Sequence, residues 1–206
     1  MPRMPKPEAE TLILPHGPML VECVRGGVDD YFTEYSPVVR TVHRRRTRAN
    51  IICDHIIQRA MAAFGGVAGI NRVRNATRGR YTLLSIEGRA LLRFKYLGPK
   101  KRSRNVKTQL AKDFTNNQVN IDGLPAEATR FDVGYVWNAL QTQILEVLVS
   151  CPTPTGVEYV ISLWTLPTAE VLPFPTPQAP DTGAQTQVVV ADQSAAAAQE
   201  ADGPAF

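Results

Sequence analysis

Between Ala49 and Phe64, apolar side chains return at helical spacing: Ala49, Ile52, Cys53, Ile56, Ile57, Ala60, Met61 and Phe64. They form one face of a helix. Upstream, Ser36-Pro37 offers a capping hydroxyl and a proline suited to the first helical position. Downstream, Gly65-Gly66 interrupts the pattern, so a helix is predicted from Ser36-Pro37 to Phe64. Val28–Tyr35 predicts a shorter helix, while Met1–Gly27 fits neither a helical nor an alternating period. After Arg80 the pattern alternates. Tyr81–Ile86 and Arg89–Tyr96 predict a hairpin turning at Glu87-Gly88. Ala90, Leu92, Phe94 and Tyr96 fall on one side of its second strand, and Arg89, Leu91, Arg93 and Lys95 on the other. Lys100–Arg104 reads as a basic loop, Thr108–Asn117 as a short helix packing through Leu110, Ala111 and Phe114, and Asp122-Gly123 with Pro125 as a turn. Phe131–Trp137, Ile144–Ser150 and Val157–Trp164 bring the count to about five strands. N-terminal helices followed by a mainly antiparallel sheet with one inserted helix define an α+β class.

Composition sets the boundaries of that fold. The last forty or so residues hold Leu172-Pro173-Phe174-Pro175-Thr176-Pro177 and then Ala195-Ala196-Ala197-Ala198, without the apolar periodicity that offsets chain entropy. The expected organisation is an unassigned N-terminal segment over 1–27, a single basic α+β domain over 28–165 and a disordered acidic Pro/Ala/Gln-rich tail over 166–206. No run approaches a membrane span. Three cysteines, Cys23, Cys53 and Cys151, without a CxxC pair, indicate neither a disulfide framework nor a zinc knuckle. A reducing cytoplasm is the expected compartment, with no membrane partner.

Charge changes the picture most. The net charge is +4, but 166–206 contains five acids and no Lys or Arg, which leaves +9 on residues 1–165. From Arg72 to Lys112 there are thirteen basic residues against one acid, Glu87. Arg40, Arg44, Arg48, His55 and Arg59 add a stripe at helical steps of four and seven. Lysine and arginine at this density attract phosphates and release their counterions, which predicts nucleic-acid binding with a steep salt dependence. The candidate contacts are Arg44, Arg48, Arg59, Arg93, Lys95, Lys100, Lys101, Arg102 and Arg104. An acidic protein partner, or the chain's own tail, would complement the same surface.

An enzyme reading has a thinner basis. Asp132, Glu146 and Glu158 occupy three successive predicted strands and would serve as ligands for Mg or Mn in a metal-dependent nuclease, with Lys95 beside the phosphate. The Glu-x-Lys spacing of restriction-type nucleases is missing at both glutamates. Cys53-Asp54-His55 spans adjacent helical positions that face apart, which makes Cys53 a buried small hydrophobe. Gly65-Gly66-Val67-Ala68-Gly69 lacks the lysine and spacing of a phosphate loop.

The run Gly88–Leu97, then Arg104-Asn105-Val106-Lys107-Thr108-Gln109 with Phe114 and Gln118, then Asp132–Trp137, resembles small bacterial proteins from prophages and toxin–antitoxin or defence-type loci. The likeness covers about Tyr81 to Trp164. It implies a growth-inhibiting or defence-associated interaction protein whose targets include RNA and the replication machinery, with an acidic antitoxin-like partner; it implies no catalytic residue. Gln109–Phe114 also resembles the glutamine-to-aromatic peptides that dock on bacterial sliding clamps.

Overall fold

A computed structural model describes residues 3–75, 81–103, 114 and 128–166. The N-terminal segment is helical, although its sequence left it unassigned. Helix α1 (Lys6–Ile13) passes through a single tight turn (Leu14–His16) into α2 (Gly17–Glu34). Each begins with a proline in its first two positions, where the missing N–H costs nothing. Val28–Tyr35 is thus the last part of a much longer helix. Met1–Thr168 forms one compact unit. The segment is fastened to the sheet directly, with Met4 N donating to Thr129 Oγ1 at 2.9 Å and Tyr159 Oη donating to Met4 O at 2.5 Å.

The long helix predicted from Ser36 is two helices, α3 (Pro37–Val42) and α4 (Arg45–Ala63). Ser36 caps α3 as expected, its Oγ accepting from Val39 N. The break falls at His43 and Arg44, both extended. His43 is drawn aside there, its Nδ1 3.0 Å from the Tyr31 hydroxyl. Beyond the break the predicted face holds: Ile52, Ile56, Ala60 and Phe64 are buried.

Six strands form one sheet in sequence order: β1 (Ile70–Asn75), β2 (Tyr81–Ile86), β3 (Ala90–Tyr96), β4 (Thr129–Trp137), β5 (Ile144–Pro152) and β6 (Val157–Thr165). The sheet consists of two antiparallel meanders, β1–β3 and β4–β6, joined along a parallel β3/β4 seam. β1 escapes the sequence pattern because only Ile70 and Val73 are apolar in INRVRN. The β2/β3 turn is the expected one, with positive φ at Glu87 (50°) and Gly88 (67°) and Arg89 N bonded to Ile86 O.

Helices α1, α2 and α4 pack on one side of the sheet. The main core unites Leu20, Val24, Tyr31, Ile52 and Ile56 with Leu92, Phe94, Phe131, Val133 and Val149. α2 and α4 cross closely because Gly27 has no side chain; a Cβ there would stand 2.6 Å from Ile56 Cγ1 and 2.7 Å from Ile56 N. At the parallel seam a Cβ on Gly134 would meet Lys95 O at 1.7 Å, which only glycine permits. The opposite face is covered too, by Leu83, Leu91, Phe114 and Ala128 in one cluster and Leu97, Val136 and Leu148 in another. Of the predicted helix Thr108–Asn117, Phe114 alone is described; it is helical and buried, and the rest of that segment, with the clamp-like Gln109–Asp113, lies outside the described residues. So does the predicted tail after Leu166.

Candidate nucleic-acid interface

The sequence-selected cations separate into those with partners inside the fold and those without. Arg93 projects from β3 on the face away from the helices. Its Nε donates to Asp132 Oδ1 at 2.7 Å, and its guanidinium lies 3.8 Å from the centre of the Phe114 ring. Asp132, on β4, is fully buried and also accepts from Ser103 Oγ at 2.7 Å. Nearby, the chain leaving β3 folds back through a turn in which Lys101 N bonds to Gly98 O, and Leu97 bridges Ser103. Lys101 Nζ reaches Glu146 Oε1 at 3.0 Å, and Arg102 donates to the carbonyls of Thr155 and Pro154 in the β5/β6 turn. These three cations clamp the exit from β3 onto the sheet, so the side of β3 expected to be a cationic surface is largely covered.

The carboxylates of the metal reading are occupied in the same way. Asp132 and Glu146 share the face away from the helices, but each is held by its own cation. Glu158 sits at the register shift between β5 and β6, 3.5 Å from Arg3 Nη1. Among the described residues no group of three His, Cys, Asp or Glu side chains is placed to hold a metal ion. The expected convergence of the three carboxylates is therefore not found.

The helical stripe is divided as well. Arg59, near the C-terminal end of α4, forms a bidentate pair with Asp30 at 2.5 and 2.6 Å, and that bond holds the Asp30 carboxyl below its ordinary range. Arg48 donates to the Gln141 side chain, and Arg40 lies over the Phe32 ring at 4.9 Å. Arg44, Arg45 and Arg46 are exposed and make no ion pair among the described residues. Lys95 and Lys100 also make none, Lys95 being half-buried and Lys100 exposed. Arg104 lies outside the described residues.

Arg45 and Arg46 were not selected from the sequence, because a continuous helix would turn them away from the stripe. The break at His43–Arg44 puts the three arginines together at the start of α4, with Arg48 one turn on. That placement runs against helix stability, since the first turn carries no acid and cations there oppose the helix dipole. The signal available in the sequence was the uninterrupted run Arg44-Arg45-Arg46 after a histidine.

Cys23, Cys53 and Cys151 are free, and burial pushes each thiol up to about 11. Cys53 Sγ donates to Phe94 O at 3.0 Å. No helix among the described residues is long and apolar enough to cross a membrane. Comparison with protein-family models, curated proteins and solved structures finds no match to this chain.

Proposed function

We propose that the chain is a nucleic-acid-binding interaction protein whose contact surface is the corner where α3 meets α4. Arg44, Arg45 and Arg46 are the principal phosphate contacts, and Arg40 and Arg48 flank them. The observation that carries this reading is the exposed triplet at the first turn of α4, which has no ion pair among the described residues and opposes the dipole of its own helix. Charge that costs the fold stability is explained by a ligand that offsets it. Phosphates do so, at the positive end of a helix and beside guanidinium groups that bind them bidentately.

The role is binding, with no turnover. Asp132, Glu146 and Glu158 each have a cation of their own, which leaves no carboxylate pair for a hydrolytic mechanism to recruit among them. The resemblance over Tyr81 to Trp164 to proteins of prophage and toxin–antitoxin loci supports a growth-inhibiting or defence-associated context for that binding. Fluorescence anisotropy of the full chain with labelled duplex DNA, single-stranded DNA and RNA across a salt series tests the proposal. Affinity should fall steeply as salt rises for at least one of the three. Lack of binding to all of them at low salt contradicts it.

A further inference from the structure

The described residues expose six large apolar side chains, and four of them, Val38, Val39, Val42 and Leu140, occur on α3 and on the turn between β4 and β5. Those two elements lie at the same end of the fold. Arg48 of α4 donates to Gln141 in that turn, and Phe32 of α2, over which Arg40 lies, packs edge-on against Trp137 at the turn's base, 6.0 Å between ring centres. Arg48, one turn beyond the arginine triplet, is thus tied to the turn that carries Leu140, and Val42 precedes the triplet by two residues. Val38 and Val42, 76% and 74% exposed, are four residues apart and share one face of α3.

Leu140 is 82% exposed, yet its turn is tightly braced. Asn138 Oδ1 accepts from Thr142 N at 2.9 Å, Asn138 Nδ2 donates to Thr142 Oγ1 at 2.9 Å, and Asn138 N donates to Gln143 O at 2.9 Å. Gln141 takes a positive φ of 56° to close the turn. Beneath it, Trp137 stacks edge-on with Tyr135 at 5.2 Å. A leucine held out on so stiff a tip, beside arginines, has no complement in a phosphate or a ribose. Its complement in a nucleic acid is the stack of base pairs, which aliphatic side chains enter from the minor groove while neighbouring cations hold the backbone. Proteins for single strands instead stack the bases on aromatic rings, and the large apolar side chains exposed at this corner are all aliphatic.

We propose that Leu140 is an apolar wedge for duplex DNA. It enters a flexible pyrimidine–purine step from the minor groove and kinks it, while Arg44, Arg45 and Arg46 hold the adjoining phosphates and Val38 and Val42 lie against the groove wall. The assignment rests on the nucleic-acid reading above and narrows it to a duplex that bends. The full chain is mixed with a duplex of about 25 base pairs carrying 2-aminopurine at a central TA step and a dye pair at its ends. Wild-type protein brightens the 2-aminopurine and shortens the end-to-end distance. Leu140→Ser loses both signals and binds on the order of tenfold more weakly, with an unchanged salt slope, whereas Leu140→Met retains both. The proposal is overturned if wild-type protein binds the duplex without either signal, if Leu140→Ser bends it as wild type does, or if only single strands are bound. These results leave charge-driven binding standing; a failure to bind any nucleic acid at low salt removes that reading and the wedge together.

Discussion

Arg93 and Arg45 are the same residue type in basic stretches of one chain, and their neighbours give them different work. Arg93 neutralises a fully buried carboxylate under the Phe114 ring, while Arg45 faces solvent at a helix start. Arg93→Ala is therefore expected to destabilise the protein by about 3–5 kcal/mol, because Asp132 is left buried without its cation. Urea unfolding measures this. Stability should change by less than about 0.5 kcal/mol for Lys100→Ala, an exposed site with no ion pair among the described residues; a loss for Arg93→Ala as small as that would show that Asp132 is not held by Arg93. The alternation Arg93, Lys95 was legible in the sequence. The segment that covers that face was not, because a cation facing Ser103, Asp132 and an aromatic ring reads like one facing water.

The thiols give a second prediction at this scale. Burial raises Cys23, Cys53 and Cys151 from the ordinary 9.0 to about 11 in the folded protein. Above pH 9 the unfolded chain loses these protons first. The stabilisation is thus complete below about pH 9 and is lost as pH rises toward about 11. Thermal unfolding across that window should show a falling midpoint, and replacing Cys23 with Ala should shallow the fall. A midpoint that stays flat up to pH 11 would contradict the burial of the three thiols.

At the scale of elements, two glycines govern how layers approach. Gly27→Ala places a methyl against the backbone of Ile56 and forces α2 and α4 apart, an overpacking that costs about 1–3 kcal/mol. A lowered denaturation midpoint with an unchanged fold by circular dichroism is the expected result. An unchanged midpoint would mean that the helices cross elsewhere. Gly134 is more constrained, since its neighbour is the carbonyl of Lys95 across the parallel seam. The Gly134-Tyr135 pair within the sequence likeness therefore has a packing explanation. The strands β2 to β6 were legible because β-branched and aromatic residues alternate along them, and α4 because its apolar face repeats. β1 was missed, its two apolar residues being too few to set a period. The parallel pairing of β3 with β4 carries no local signal, as it depends on where the connection between them runs.

On the scale of the whole molecule, the N-terminal segment through α2 contributes more buried side chains to the core than α4 does. Leu20, Val24, Val28 and Tyr31 are buried against the sheet side that carries Phe94 and Val133. Prolines and glycines scattered through Met1–Gly27 blurred the helical period there, although those among the described residues sit where a helix starts or where α2 meets α4. The charge distribution was legible as a total and misleading as a surface. Arg59, Arg93, Lys101 and Arg102 have partners within the fold, which leaves the α3/α4 corner as the strongest concentration of exposed arginine without an ion pair among the described residues. The break between α3 and α4 places that concentration at a helix start, and His43 bonded to Tyr31 helps to hold the break in place. His43→Ala should accordingly weaken binding several-fold with little effect on the core; an unchanged affinity would detach the break from the site.

The most direct measurement is the salt dependence of duplex binding for the wild-type chain and for the Arg44→Ala/Arg45→Ala/Arg46→Ala variant. With each arginine neutralising one phosphate, the slope of log affinity against log salt should become shallower by about three, while the variant's thermal stability rises because the cations opposing the helix dipole are gone. The same slope and affinity in both would contradict the account and move the interface away from the start of α4.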